Sequence, residues 1–544
     1  VTVYVAEEFT AAEADVLRRY FTNLDSPVFA LVNLPEVVKG ALFARYSRSH
    51  KSLRRLFLDE FVAELDISGD ATIDATVGLR RAEELYDRVF FEYGDDSVAQ
   101  LGGVHLACEQ SSNVLTKVLE WGRLMSYLEQ STRYIAYDER IGGRYRYYRD
   151  PEVLRSSLGT RYVGDMDRIF DSYGELVPAM TDFFRELYPK QPGDSDFVHR
   201  QAIRAKAFDT LRGMLPSASL SNVGIYGTGQ GYEALLLRMR SHWLPEARSY
   251  ADMMLTELRK VIPSFLKRVD LPDRGEAWSR YMAATRSDTA EVAARLLGDD
   301  DPTVGGSLLA GGDSDAAEVT LTDFDPNGEV AMVVGMLYPH THLSEAALTA
   351  RVEAMGTEDR LAVVRAYVGE RANRRHKPGR ALERLDYRFD VLADYGAFRD
   401  LQRHRMLTID WQPLTPRHGY VRPAGIDAAG HAQAFDEAMG RSAALFDAMA
   451  GEFPAQATYA VALGYRIRFS MQMNAREAMH LIELRTTPQG HAAYRRVAQE
   501  MYRLIAEEAG HHAVAEMLRF VDLTPDPGLE RLAAERRAEQ RRLG

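Results

Sequence analysis

The stretches Trp121–Tyr134, WGRLMSYLEQSTRY, and Arg403–Tyr420, RHRMLTIDWQPLTPRHGY, are two broken copies of one pattern, each lacking what the other keeps. In the first, Glu129, Ser131 and Arg133 alternate, so an extended chain projects all three from one side. A hydroxyl beside a guanidinium suits a phosphate, because arginine offers paired planar donors. Glu129 repels phosphate while ionised, and suits a nucleobase, a ribose hydroxyl or a neighbouring arginine. A solvated strand with a Glu–Arg pair is the plainer reading. In the second, Arg403, His404 and Arg405 close a predicted helix. They either complement its dipole or clamp a polyanionic dinucleotide.

Outward from these copies, the two halves repeat one order of elements. LGGVHLACEQ precedes SNVLTKVLEWGR in the first half, and LDYRFDVLA precedes YGAFRDLQRHR in the second. Long amphipathic helical patterns follow each motif. VTVYV opens the chain and VTLTDF opens the second half, so each half is expected to start with a strand. Between them, Leu296–Glu318 trades periodic apolar residues for Gly, Asp and Ser, as a linker does. The expected domains are therefore 1–295 and 319–544, joined by 296–318. Strands and helices mix without strict alternation, which points to an α+β fold. The tail Leu529–Gly544 interleaves acids and bases, as a solvated helix does.

With 544 residues the chain is too long for one ordinary core. A net charge of −12 argues against a general nucleic-acid binder, which needs an accumulated basic surface. One cysteine, Cys108, excludes an internal disulfide framework and reads as a small buried apolar residue. The opening residues lack the charge and apolar run of a signal peptide, and no apolar run is long enough to span a membrane. The expected location is the cytoplasm.

Further on, MNAREAMHLIELR spaces Arg476, His480 and Glu483 along one helical face, with Asn474 and Arg485 roughly opposite. A helix polar on two faces is either solvated and salt-bridged or wedged between two sites. Gly227, Gly229 and Gly231 precede a helix without matching a dinucleotide or phosphate-loop spacing; no clear strand comes before them, and a flexible turn is expected. Neither His340 with His342 nor His511 with His512 has a third ligand at a recognised metal spacing, so no metal is expected.

These residues resemble the flavin-dependent thymidylate synthases, also called thymidylate synthase-complementing proteins, duplicated in tandem. Arg123, Ser126, Glu129, Ser131, Arg133 and Tyr134 match the family motif in the first half, where Trp121 and Gly122 replace an Arg and a His. LRGMLP implies a phosphate role for Arg212, and LLLRMRSH a pyrimidine-facing Arg238. In the second half Arg403, His404 and Arg405 match. Asn474 and Arg476 correspond to flavin contacts, Arg485 to the pyrimidine-facing arginine, and His480 replaces a polar flavin contact. Trp411, Pro413 and Thr415 replace the Glu, Ser and Arg, although Arg417 realigns across a two-residue insertion; Thr458 stands at the phosphate arginine.

The resemblance implies two similar domains, each an antiparallel sheet with long helices. It also implies reductive methylation of dUMP with FAD, with NADPH and methylenetetrahydrofolate as co-substrates, the flavin carrying the redox step. Glu129, Ser131, Arg133, Arg212 and Arg403 would bind substrate, and Arg238 and Arg485 would stabilise charge on the ring. Arg403, His404, Arg405, Asn474, Arg476 and His480 would hold the cofactor. A homodimer would mimic the family's tetramer, with composite sites from complementary halves. The alternatives are a flavoenzyme acting on a different pyrimidine nucleotide, or a nucleotide- or flavin-binding homologue without turnover.

Overall fold

The computed structural model describes residues 4–34, 38–39, 42–43, 46, 49–60, 103–132, 135–192, 194–297, 318–525, 528–529 and 532. Two four-stranded antiparallel sheets repeat one topology. One orders its strands β1-β2-β4-β3, from β1 (Val28–Leu31), β2 (Gly103–Ser112), β3 (Ser126–Glu129) and β4 (Leu220–Thr228). The other runs β5-β6-β8-β7, from β5 (Val319–Phe324), β6 (Asp386–Asp394), β7 (Thr408–Trp411) and β8 (Arg466–Asn474). Along β8, Ile467, Phe469, Met471 and Met473 are buried while the residues between them are not, the period of a half-buried strand. Each such side chain contributes on the order of 1.5–3 kcal/mol by leaving water. The fold is α+β, as expected.

Each central strand turns straight into a helix, and a side-chain oxygen at the turn satisfies an amide that the helix leaves unpaired. Ser112 accepts from Leu115 N at 3.0 Å to start Asn113–Leu119, and Asp394 from Ala397 N at 2.8 Å to start Tyr395–Leu401. Thr228 accepts from Gly231 N at 3.2 Å to start Gly229–Arg240, and Asn474 from Glu477 N at 3.0 Å to start Ala475–Arg485. Register then places the motifs. Thr408 pairs with Gln472, so the loop from Arg403 arrives beside the end of β8, where the Asn474 helix begins. Ser126 pairs with Tyr226, which brings Trp121–Met125 beside the start of the Thr228 helix.

The chain divides into two compact units that interleave in sequence. The first unit comprises Val1–Gly174, Leu215–Gly306 and Gly440–Val461; the second comprises Glu175–Met214, Ser307–Met439 and Ala462–Gly544. Each unit thus incorporates a segment from the other half of the sequence. In the second unit Gly464 N donates to Gly213 O at 2.8 Å, and Gly425 lies against Phe184 and Thr210. In the first, Ser217 N donates to Val461 O at 2.8 Å, and Tyr459 OH donates to the buried Glu246 at 2.7 Å.

Among the described residues the first sheet opens with Val28–Leu31, all buried; of VTVYV, Tyr4 and Val5 are irregular and residues 1–3 lie outside the described residues. A strand does precede the glycines, since β4 runs to Thr228; its glycines at 224 and 227 had masked the alternation. Cys108 is buried and free, and burial pushes its thiol up. Of the linker expected at 296–318, Leu296 and Leu297 end the helix Gly275–Leu297, and residues 298–317 lie outside the described residues, as does nearly all of the charged tail. Among the described residues no helix is long and apolar enough to cross a membrane.

Candidate functional site

In the second unit, the helix Tyr395–Leu401 ends at Gln402 and delivers Arg403 and His404 into a buried cationic cluster. Asp400 stands at its centre. Its carboxylate accepts from Arg403, from Arg212 Nη1 at 3.5 Å, and faces Arg485 Nη1 at 3.9 Å. Arg485 Nη2 also donates to the Asp400 carbonyl. Arg212 comes from the first half of the sequence, yet it belongs to this unit. It is 4% exposed, and its Nε and Nη2 have no hydrogen-bond partner. A buried guanidinium anchored at one corner, with a bidentate edge unused, fits an oxyanion such as phosphate. Asp394 also faces Arg212, and its burial holds it above the usual carboxylate range.

His404 sits between two partners. Its Nδ1 lies 2.8 Å from Glu477 Oε1, and Arg485 Nε donates to its Nε2 at 3.0 Å. The His480 ring lies 5.3 Å from the His404 ring. Burial, and then the charges of Arg485, His480, Arg403 and Lys377, hold His404 well below its usual range. Burial and the charges of Lys377, Arg374 and Arg485 lower His480 to about 4, whereas burial raises Glu477 to about 7. His404, Glu477 and His480 put their ligand atoms within 4.8 Å of one another, a grouping that could hold a metal and that histidine spacing alone had not revealed.

The sequence-derived residues are therefore partly gathered. Arg212, Arg403, His404, His480 and Arg485 meet in the second unit. Asn474 caps the same helix, and Arg476 in its first turn pairs with Glu383 at 3.2 Å. Arg405 follows His404 and is half-buried. His480 and Arg485, roughly opposite on their helix, both reach His404, which lies between them. Glu483 leaves the site altogether and forms a buried pair with Arg371 at 2.6 Å. Arg417 sits in the short turn Pro416–His418. Sequence reasoning missed Asp400 and Glu477. The spacing of Glu477 to His480, one helical turn on one face, was the available signal for the second.

The first unit holds the remainder in a different state. Glu129 is buried and ion-paired to Lys117 at 3.2 Å, and Lys117 also meets Glu120 at 2.6 Å. Ser131 is half-buried, and Arg133 lies outside the described residues. Arg238 donates to Val118 O at 3.2 Å, the same position relative to its helix cap as the Asp400 carbonyl that Arg485 meets, although counted from Thr228 and Asn474 Arg238 stands one residue earlier, at Leu484. Its guanidinium lies over Trp121 at 5.0 Å, and burial lowers its pKa. Counted from the same caps, Gly122 and Gly231 stand where His404 and Glu477 do. A Cβ on Gly122 would lie 2.6 Å from the Tyr127 hydroxyl, and one on Gly231 would lie 3.2 Å from Met125 Cγ. Tyr127 and Met125 fill the room that an imidazole and a carboxylate would need.

A family model described as thymidylate synthase complementing protein matches residues 42–264 and 320–510, one span in each repeat. A UPF0159 protein of Chlamydia muridarum (strain MoPn / Nigg) is 38% identical over 534 residues, covering 97% of this chain and 98% of that protein. One from Thermoplasma acidophilum is 30% identical over 523 residues, covering 91% and 97%. A solved UMP/dUMP methylase from Streptomyces cacaoi, bound with 5-Br dUMP, matches at 17% identity and a TM-score of 0.30, covering 36% of this chain and 94% of that one.

Proposed function

The chain belongs to the thymidylate synthase complementing protein family, and from that membership we propose that its second unit is built for reductive methylation of dUMP to dTMP. The carrying observation is Arg212, which the first half of the sequence contributes to a cluster otherwise made by the second half, with two buried donors unspent. Arg212 and Arg403 take the nucleotide phosphate, and Arg485, on leaving His404, meets the pyrimidine. There it stabilises negative charge developing on the ring as C5 attacks the methylene carbon. The donor set fits FAD: Arg403, His404, Arg405, Asn474, Arg476 and His480 would hold its polar and anionic groups. Bound flavin would relay hydride from NADPH to the methylene carbon, with folate leaving as tetrahydrofolate and C5 losing its proton. Glu129, Ser131 and Arg133 contribute to substrate binding from the first repeat in a homodimer, where Glu129 must exchange Lys117 for a ligand.

The test begins with the visible spectrum of the purified protein, then titrates dUMP and assays dTMP formation with methylenetetrahydrofolate and NADPH. A yellow protein that binds dUMP and forms dTMP supports the reading. A colourless protein that takes up no FAD sinks it. A second reading has its own observation: Trp411 stands where a carboxylate would, at the end of β7. That change favours a different pyrimidine nucleotide, and binding of UMP in preference to dUMP in the same titration would select it.

A further inference from the structure

We infer that Glu477 is a positioning residue that fixes the proton of His404 on Nδ1 and thereby makes its Nε2 the resting partner of Arg485. The two bonds on the imidazole dictate this. An arginine Nε–H only donates, so the His404 Nε2 facing it at 3.0 Å must be a lone pair. The ring is therefore neutral with its hydrogen on Nδ1, where Glu477 Oε1 accepts it at 2.8 Å. The opposite tautomer would set two N–H groups face to face and turn a lone pair towards the carboxylate. Both sides of the ring thus select one proton position.

The other repeat gives independent support. The positions of His404 and Glu477 are both glycine there, Gly122 and Gly231, and Arg238 is left over the Trp121 ring without an imidazole. Imidazole and carboxylate are present together or absent together, as expected if they act as a pair.

The same cluster read as a metal site is less consistent with its surroundings. A cation on Nδ1 would move the ring hydrogen to Nε2, against the Arg485 donor. It would also sit among Arg403, Arg485, Lys377, Arg374 and Arg476, the charges that face His404, Glu477 and His480.

Nitrogen NMR of the full chain labelled at histidine, with His404 assigned by loss of its signals in His404→Gln, reads the tautomer directly and needs neither flavin nor nucleotide. The expected result is a neutral His404 with its hydrogen on Nδ1 at pH 7. Glu477→Gln, whose amide oxygen still accepts, is expected to keep that form; Glu477→Leu is expected to admit the Nε2–H form. An Nε2–H or doubly protonated His404 in the unsubstituted protein overturns the inference whether or not any variant folds. So does one equivalent of Zn²⁺ that displaces the Nδ1 hydrogen.

Discussion

At the scale of single residues, Arg212 is where burial and chemistry are most plainly at odds. A guanidinium keeps its charge, and burying one with two unused donors is costly unless an anion arrives. Replacing Arg212 with Met is expected to weaken dUMP binding by about 10- to 100-fold, since hydrogen bonds to charged groups contribute roughly 1.5–3 kcal/mol. Calorimetric titration of dUMP checks this, and equal affinity in the variant would remove Arg212 from the phosphate site. Glu477 carries a second expectation. Its pKa is raised from 4.5 to about 7, so the native state holds a proton that the unfolded chain has released. The stability from that difference is complete below pH 4.5 and is lost as pH rises through about 7. Between pH 5 and 8 the melting temperature should therefore fall less in Glu477→Gln than in the unsubstituted protein. Differential scanning calorimetry across that range measures it.

At the scale of elements, the strand-to-helix turns do two jobs with one residue. Asn474 caps its helix through Oδ1, and the sequence resemblance also assigns it to the cofactor. Asn474→Ala should cost about 1 kcal/mol of stability, the usual value of a lost cap. Asn474→Asp should retain the cap but lose the amide donor. Urea denaturation and FAD uptake separate the two roles: Asp should resemble the unsubstituted protein in the first and Ala in the second. Further along, the side chains of Arg371 and Glu483 are each 1% exposed and make paired bonds at 2.7 and 2.6 Å. Breaking such a pair leaves one buried charge, so Glu483→Gln should destabilise by roughly 3–5 kcal/mol in the same denaturation experiment. That residue had looked like part of a functional face, because helical spacing gives direction around an axis but says nothing about which neighbour waits there.

At the scale of the whole molecule, the interleaving of the two units has a direct consequence. Each half of the sequence lacks a segment that its own unit uses, 175–214 in one case and 440–461 in the other. Residues 1–306 or 307–544 expressed alone should therefore lose fixed tertiary packing, seen as a collapsed near-UV circular dichroism signal, and co-expression should restore it. Two halves that each fold fully alone would contradict the interleaved division.

The sequence by itself determined the repeat, the α+β class, and the set of arginines and histidines at the second motif. Alternating and helical periodicities record which face of an element is buried, and Arg403, His404 and Arg485 carry chemistry that no core requires. The resemblance also implied a phosphate role for Arg212, but in the half to which it is adjacent along the chain. Only the tertiary structure decided that Arg212 joins His404 and Arg485, that Glu129 is bound by Lys117, and that Glu477 stands against His404. The reason is physical. Local patterns follow from steric and solvent preferences of neighbouring residues, whereas these pairings depend on how strands register and on where long segments return, information spread over hundreds of residues.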